Sequence, residues 1–177
     1  MKNVLILCTA NSARSILAEA ILNRAGNGRF IAYSAGSHPR GSPNPRAIEL
    51  LVSLGYPAGG LRSKSWEEFA GPNAPKIDLV ITVCDAAAGE SCPLWPVSEK
   101  GEAPLKAHWG IPDPAGVPGG VDAERAAFRL AYDRLMARMQ ALVALPVETM
   151  ARDELSKQLL AIAGLEGATD AAIRGER

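Results

Sequence analysis

The start of this chain constrains its fold more than any other stretch. Val4-Leu5-Ile6-Leu7 is a continuous apolar run, Cys8-Thr9-Ala10-Asn11-Ser12-Ala13-Arg14-Ser15 follows it, and Leu17, Ala20 and Ile21 then recur at helical spacing. The pattern predicts a buried strand over residues 2–7, a tight loop, and a helix over residues 15–25 that stops at Gly26. A loop running into a helix N-terminus offers backbone N–H groups and the positive end of the helix dipole to anions. The same field favours a thiolate over a thiol. Cys8 is therefore a candidate nucleophile toward a tetrahedral oxyanion. Thr9, Ala10, Asn11, Ser12, Ala13, Arg14 and Ser15 are the candidate cradle for that anion.

Further along, residues 30–34 read as a second strand closed by Ala35-Gly36. A Pro-, Ser- and Gly-rich loop over residues 38–43 leads to a helix with Pro45 at its first position, an apolar side of Ile48, Leu51 and Leu54, and a stop at Gly55. Trp66 and Phe69 fit a short helical turn capped by Ser65. Residues 78–83 (Asp-Leu-Val-Ile-Thr-Val) form a near-continuous apolar run, as a strand covered on both faces should. Residues 84–104 lack periodicity and predict a long mobile loop. Residues 106–109 fit a last short strand, followed by a Pro112-Asp113-Pro114 turn. Phe128, Tyr132, Leu135, Met139 and Leu142 set a long helix over residues 122–144. Leu155, Leu159 and Ile162 mark one more, between Pro146 and Gly164, and residues 165–177 read as a polar, fraying tail.

Strands alternating with helices imply an α/β fold with a parallel sheet, here four strands in a three-layer α/β/α arrangement with an extra C-terminal helix. Such sheets bind ligands beyond the carboxyl ends of their strands. Cys8, Cys84 and Asp113 each follow a strand-like run, so one architecture brings all three to the same edge.

Composition narrows the chemistry. Nineteen Lys and Arg balance nineteen Asp and Glu, so there is no general electrostatic pull toward nucleic acid or an anionic membrane. No apolar stretch approaches the roughly 20 residues of a membrane span. One Lys and a four-residue apolar run are too short for a signal peptide, which leads us to expect a cytoplasmic protein. In that reducing compartment three cysteines are poor structural staples. Three Cys and two separated His cannot supply a four-ligand zinc site at usual spacings, so no metal is expected and redox chemistry is favoured.

Taken together, Cys8-Thr-Ala-Asn-Ser-Ala-Arg-Ser15, Ala18-Glu19, Ser34-Ala35-Gly36, Thr82-Val83-Cys84-Asp85, Cys92-Pro93 and His108-Trp109-Gly110 leading to Asp113-Pro114-Ala115 resemble the low-molecular-weight protein tyrosine phosphatase family, and within it the arsenate reductase branch. The resemblance covers residues 1–145 and leaves 146–177 as a helical extension and tail. It implies that Cys8 attacks arsenate, that Cys84 attacks Cys8 and releases arsenite, and that Cys92 moves the disulfide to Cys84–Cys92. A thioredoxin-like protein is the first-choice reductant and a glutaredoxin–glutathione route the alternative. This donor is a co-substrate, and no tightly bound cofactor is expected. Phosphate or sulfate would mimic arsenate. Arg14 would fork two anion oxygens, Ser15 would hydrogen-bond the Cys8 thiolate, Asn11 would brace the loop, and Asp113 would protonate the leaving oxygen. The resemblance also allows a monovalent cation near Asn11 and Glu19.

Two features depart from the family pattern. Ala115 and Gly116 stand where the phosphatases carry aromatic residues after Asp-Pro, which argues against phosphotyrosine. Ala13 stands where some reductases carry a further Cys just before the loop arginine. A phosphatase acting on phosphotyrosine or small phosphate esters needs only Cys8, Arg14 and Asp113 and is the alternative function. A non-catalytic oxyanion or arsenite sensor is the third. Plainer roles stand beside the chemical ones: Cys84 as a core thiol, Cys92 as an incidental loop residue, Asp113 as a turn cap, and Glu19 as part of a solvated helix face. His38 and His108 read as loop and packing residues, and Trp66, Trp95 and Trp109 as core or lid aromatics.

Overall fold

The computed structural model describes residues 1–90, 95–96 and 102–175. Four strands, β1 (Lys2–Cys8), β2 (Phe30–Gly36), β3 (Leu79–Thr82) and β4 (Leu105–His108), form one parallel sheet in the order β2-β1-β3-β4. Leu7 pairs with Thr82 and Cys8 with Gly36. The chain moves from β1 to β2 on one side and returns to β3 on the other. The carboxyl ends of β1 and β3 therefore flank the point where strand order reverses, the usual place for a ligand in such sheets.

Alternation along β1 divides its side chains between two cores. Val4, Ile6 and Cys8 join the larger one, with residues of α1 (Arg14–Ala25), α2 (Pro45–Ser53), α4 (Gly120–Ala144) and α5 (Arg152–Ala163). Leu5 and Leu7 face the smaller one, with Val80, Ile77, Trp95 and the Trp66–Phe69 3₁₀ turn. Both faces of β1 are thus covered, which is why its apolar run is unbroken. Several local expectations hold in detail. Gly26 closes α1, Asn44 caps α2 by accepting from Arg46 N–H with Pro45 in the first position, and Ser65 accepts from Glu67 N–H.

Two expectations are corrected. The stretch after β3 is not wholly irregular, because Asp85–Ala88 forms a one-turn helix, α3, with Ala87 buried in the core. Residues 165–175 do not fray: they carry α6 (Asp170–Arg174), capped by Thr169 and anchored through buried Ala172. Part of the reason lies in Arg138 of α4, which is 0% exposed and donates to the carbonyls of Ala163, Leu165 and Glu166. Ala163 is the last residue of α5, whose final carbonyls have no partner within the helix, and Leu165 and Glu166 lie in the turn just after it. Val147, Leu155, Leu159 and Ile162 enter the larger core, and Trp109 Nε1 donates to Leu159 O at 2.9 Å. No described helix is long and apolar enough to cross a membrane.

Candidate active site

Cys8 ends β1 and Cys84 lies two residues beyond β3, and both are almost fully buried. Both line one cavity, and the two thiols are shifted in opposite directions by each other. The Cys84 thiol, donating to Cys8, is the largest influence pulling Cys8 from its ordinary 9.0 to about 6. Burial opposes this, while the Ser15 hydroxyl, the Arg14 charge and the Asn11 backbone N–H assist it. Cys84 is pushed up by the same hydrogen bond, by burial and by the negative charge on Cys8. The pair is therefore biased toward a thiolate at Cys8 and a thiol at Cys84. Thr9 touches the second sulfur twice, through its N–H at 3.4 Å and its hydroxyl at 3.8 Å, and its hydroxyl also donates to Glu90 at 3.2 Å.

Around the thiols lies a cavity of about 230 Å³, lined by Thr9, Ala10, Ser12, Ala13, Arg14, Arg40, Asp113 and Ala115 as well as both cysteines. Helix α1 begins at Arg14 with no side-chain cap, so its first N–H groups remain available to an anion. Arg14 is fixed from behind, with Nη1 donating to Ile111 O at 2.9 Å and Nη2 to Asp113 Oδ2 at 2.7 Å. Its Nε is buried without a hydrogen-bond partner. A buried, unpaired N–H on a guanidinium is costly unless an acceptor such as an anion oxygen engages it. Asp113 also accepts from Ala115 N–H at 3.1 Å, so it caps its turn and orients the arginine at once. Ala115 at the cavity wall offers no aromatic platform.

Buried polar groups hold the loop in shape. Asn11 is 0% exposed and sits at a φ of 41°, a left-handed conformation that Asn tolerates better than most residues. Its amide NH₂ donates to Ser15 and Ser34 at 2.9 Å each, and its oxygen accepts from Lys64 N–H at 2.8 Å. Asn11 thus braces the loop to β2 and to the chain at residue 64. From outside, His38, Arg40 and Asn44 N–H groups donate to the carbonyls of Thr9, Ala10 and Ser12. Gly36 must lack a side chain, because a Cβ there would lie 2.4 Å from Thr9 O. Glu19 is a correction: it faces inward, accepting from the Ser34 hydroxyl and from Lys64 Nζ at 3.4 Å. The Lys64 ammonium, itself only 7% exposed, thereby sits against Glu19, where the family resemblance allowed a monovalent cation.

The cradle residues Thr9 to Ser15, both buried cysteines, Arg14 and Asp113 thus converge at one edge of the sheet. Cys92, expected from the sequence as the third thiol, lies outside the described residues. His38 is an exposed loop residue beside Ser37. His108 is more than packing: it is buried, with Nδ1 2.8 Å from Thr82 Oγ1 and Nε2 2.9 Å from Asp85 Oδ1. Nothing in the local sequence marks this contact, although Asp85 directly follows Cys84. No cluster of metal-ligating side chains occurs among the described residues.

A parallel α/β sheet with a cysteine at the end of its first strand, an arginine opening the next helix and an Asp-Pro turn across the cavity defines a phosphatase-type oxyanion site. The chain belongs to the low molecular weight phosphotyrosine protein phosphatase family, whose model matches residues 3–159. It is 32% identical over 139 residues to an arsenate reductase of Bacillus subtilis (strain 168), covering 78% of this chain and 93% of that one. It is 34% identical over 117 residues to an arsenate reductase of Staphylococcus aureus (strain Newman), covering 66% of this chain and 82% of the relative. Among solved structures, an arsenate reductase in a phosphate-binding state superposes with a TM-score of 0.62 at 28% identity, covering 81% of this chain and 98% of that one.

Proposed function

We propose that this protein reduces arsenate to arsenite through successive thiol exchanges. The Cys8 thiolate attacks arsenic(V), and one arsenate oxygen leaves as water after protonation, with Asp113 delivering a proton once the anion has taken over Arg14. Cys84 then attacks Cys8 Sγ. The sulfur–arsenic bond breaks, its electron pair stays on arsenic, arsenite departs and a Cys8–Cys84 disulfide remains. Cys92 attacks Cys84, which frees Cys8 and leaves a Cys84–Cys92 disulfide. An external dithiol of the thioredoxin kind resets that bond, with glutaredoxin and glutathione as the alternative donors. A reducing cytoplasm is the compartment that suits free thiols of this kind.

The observation that carries this reading is the pair of buried cysteines, Cys8 and Cys84, lining one cavity with Arg14 and Asp113. A phosphatase needs the first and has no use for the second. The relatives named above carry the same activity in their names. The test is arsenate-dependent NADPH oxidation with a thioredoxin and a glutaredoxin system in parallel. Loss of the signal in Cys84→Ser and Cys92→Ser variants is expected. No arsenate-dependent oxidation with either donor would overturn the reading, as would aryl phosphate turnover, indifferent to both substitutions, as the only activity found.

A further inference from the structure

The residue after Cys84 is tied to the far end of the chain. Asp85 Oδ1 accepts from the Thr169 hydroxyl at 2.6 Å and lies 2.9 Å from His108 Nε2. Thr169 N–H also donates to Gly110 O at 3.0 Å, so Thr169 ties this edge of the sheet to α6, which its hydroxyl caps by accepting from Ala172 N–H. Gly110 sits where the three side chains meet. A Cβ there would be 2.4 Å from Asp85 Oδ1, 2.4 Å from Thr169 Oγ1 and 2.7 Å from His108 Nε2. Thr169 lies beyond residue 159, where the family match ends, so this contact is an addition of the C-terminal segment.

Helix α3, which Cys84 opens, cannot hold that cysteine by itself. It is four residues long, and its bonds from Ala88 N to Cys84 O and from Gly89 N to Asp85 O are 3.3 and 3.2 Å. A single turn is unstable without outside support. Upstream, Val83 N–H is fixed to Leu7 O at 2.9 Å. Downstream, the side-chain anchors of Asp85 are His108 on β4 and Thr169. We propose that Thr169 is a positioning residue of the thiol pair, holding Asp85 and thereby keeping Cys84 against Cys8. Arg138 supports the arrangement by fixing the carbonyls of Ala163, Leu165 and Glu166, a few residues before Thr169. The arsenite-release readout rests on the proposed thiol exchanges; the placement of Cys84 does not.

The test uses the full chain and two readouts. The first is the pH midpoint of Cys8 alkylation by iodoacetamide, which needs no arsenate. The groups facing Cys8 are Cys84, Ser15, Arg14 and the Asn11 N–H, so loosening Cys84 removes one of them and leaves the others. Thr169→Val is expected to raise the midpoint by about one pH unit and to slow arsenite release in a single turnover about tenfold. Thr169→Ser is expected to restore both. Asp85→Ala, which removes the acceptor, is expected to shift the midpoint in the same direction and serves where Thr169→Val fails to fold. A folded Thr169→Val or Asp85→Ala protein with the wild-type midpoint would overturn the proposal, and so would a shift that Thr169→Ser does not reverse. If the midpoint shifts as expected while the wild type reduces no arsenate, the positioning role stands and the proposed function falls.

Discussion

Replacing Cys84 by alanine isolates the effect that makes Cys8 reactive. The Cys84 hydrogen bond is the largest influence lowering Cys8 from 9.0 to about 6. Without the Cys84 donor, burial still disfavours the charge, and Ser15, Arg14 and the Asn11 N–H remain to oppose it. A midpoint near pH 8 is then expected. With midpoints at about 6 and about 8, the thiolate fraction at pH 7 falls about tenfold, from about 90% to about 10%; the midpoint and not the rate at one pH carries the test, because a thiolate of higher pKa is the stronger nucleophile. The measurement is the rate of iodoacetamide labelling of Cys8 against pH, with the modified peptide identified by mass. Stability supplies an independent check. The folded state lowers the Cys8 value, so the stabilisation is complete above the unfolded value near 9 and is lost as pH falls through about 6. The wild type should therefore gain stability between pH 6 and pH 9 more steeply than Cys84→Ala. A variant that labels with the wild-type midpoint, or the same stability slope in both proteins, would refute the reasoning and return the thiolate to Arg14 and the loop.

Three further perturbations test other parts of the site. Arg14→Lys keeps the charge and loses the planar fork, including the buried Nε without a partner; phosphate or arsenate protection of Cys8 from labelling should weaken about tenfold or more, and undiminished protection would count against Arg14 as the anion's clamp. Asn11→Ala removes a buried amide with three partners and puts a less tolerant residue at a positive φ; urea unfolding should show a loss of about 3 kcal/mol, with a loss below 1 kcal/mol arguing against a bracing role. Arg138→Ala removes the side-chain donor that the carbonyls of Ala163, Leu165 and Glu166 share; about 3 kcal/mol should be lost, and limited proteolysis should cut after α5 in the variant before the wild type.

Glu19, Lys64, Ser34, Asn11 and Ser15 form a chain of polar contacts that ends at the Cys8 sulfur. The links among Glu19, Lys64, Ser34 and Asn11 join groups far apart in sequence, whereas Asn11 to Ser15 and Ser15 to Cys8 lie within the loop. That explains why Ser15 and Asn11 were recognisable from the loop pattern while Glu19 read as a surface residue. Helical periodicity says which face a residue occupies only relative to its own helix, and α1 has polar neighbours on the side facing Ser34. His108 was obscured in the same way. Its partners Thr82 and Asp85 belong to β3 and the turn after it, and the β3–β4 register that brings them together, Thr82 opposite His108, is a property of the sheet.

What the sequence determined by itself is the set of features written in adjacent residues. The strand, loop and helix around Cys8, the apolar run of β3, the long helix α4 and the Asp-Pro turn all follow from periodicity and from glycine and proline placement, which act over a few residues. The alternation of these elements also implied the parallel sheet and the edge where Cys8, Cys84 and Asp113 meet. Tertiary structure decided the rest. It placed the two thiols in one cavity, it set a lysine against Glu19, and it turned a polar C-terminal segment into an anchored helix whose Thr169 reaches Asp85. Hydrogen bonds and pKa shifts depend on distances of a few ångströms between groups brought together by packing, and no spacing along the chain encodes them.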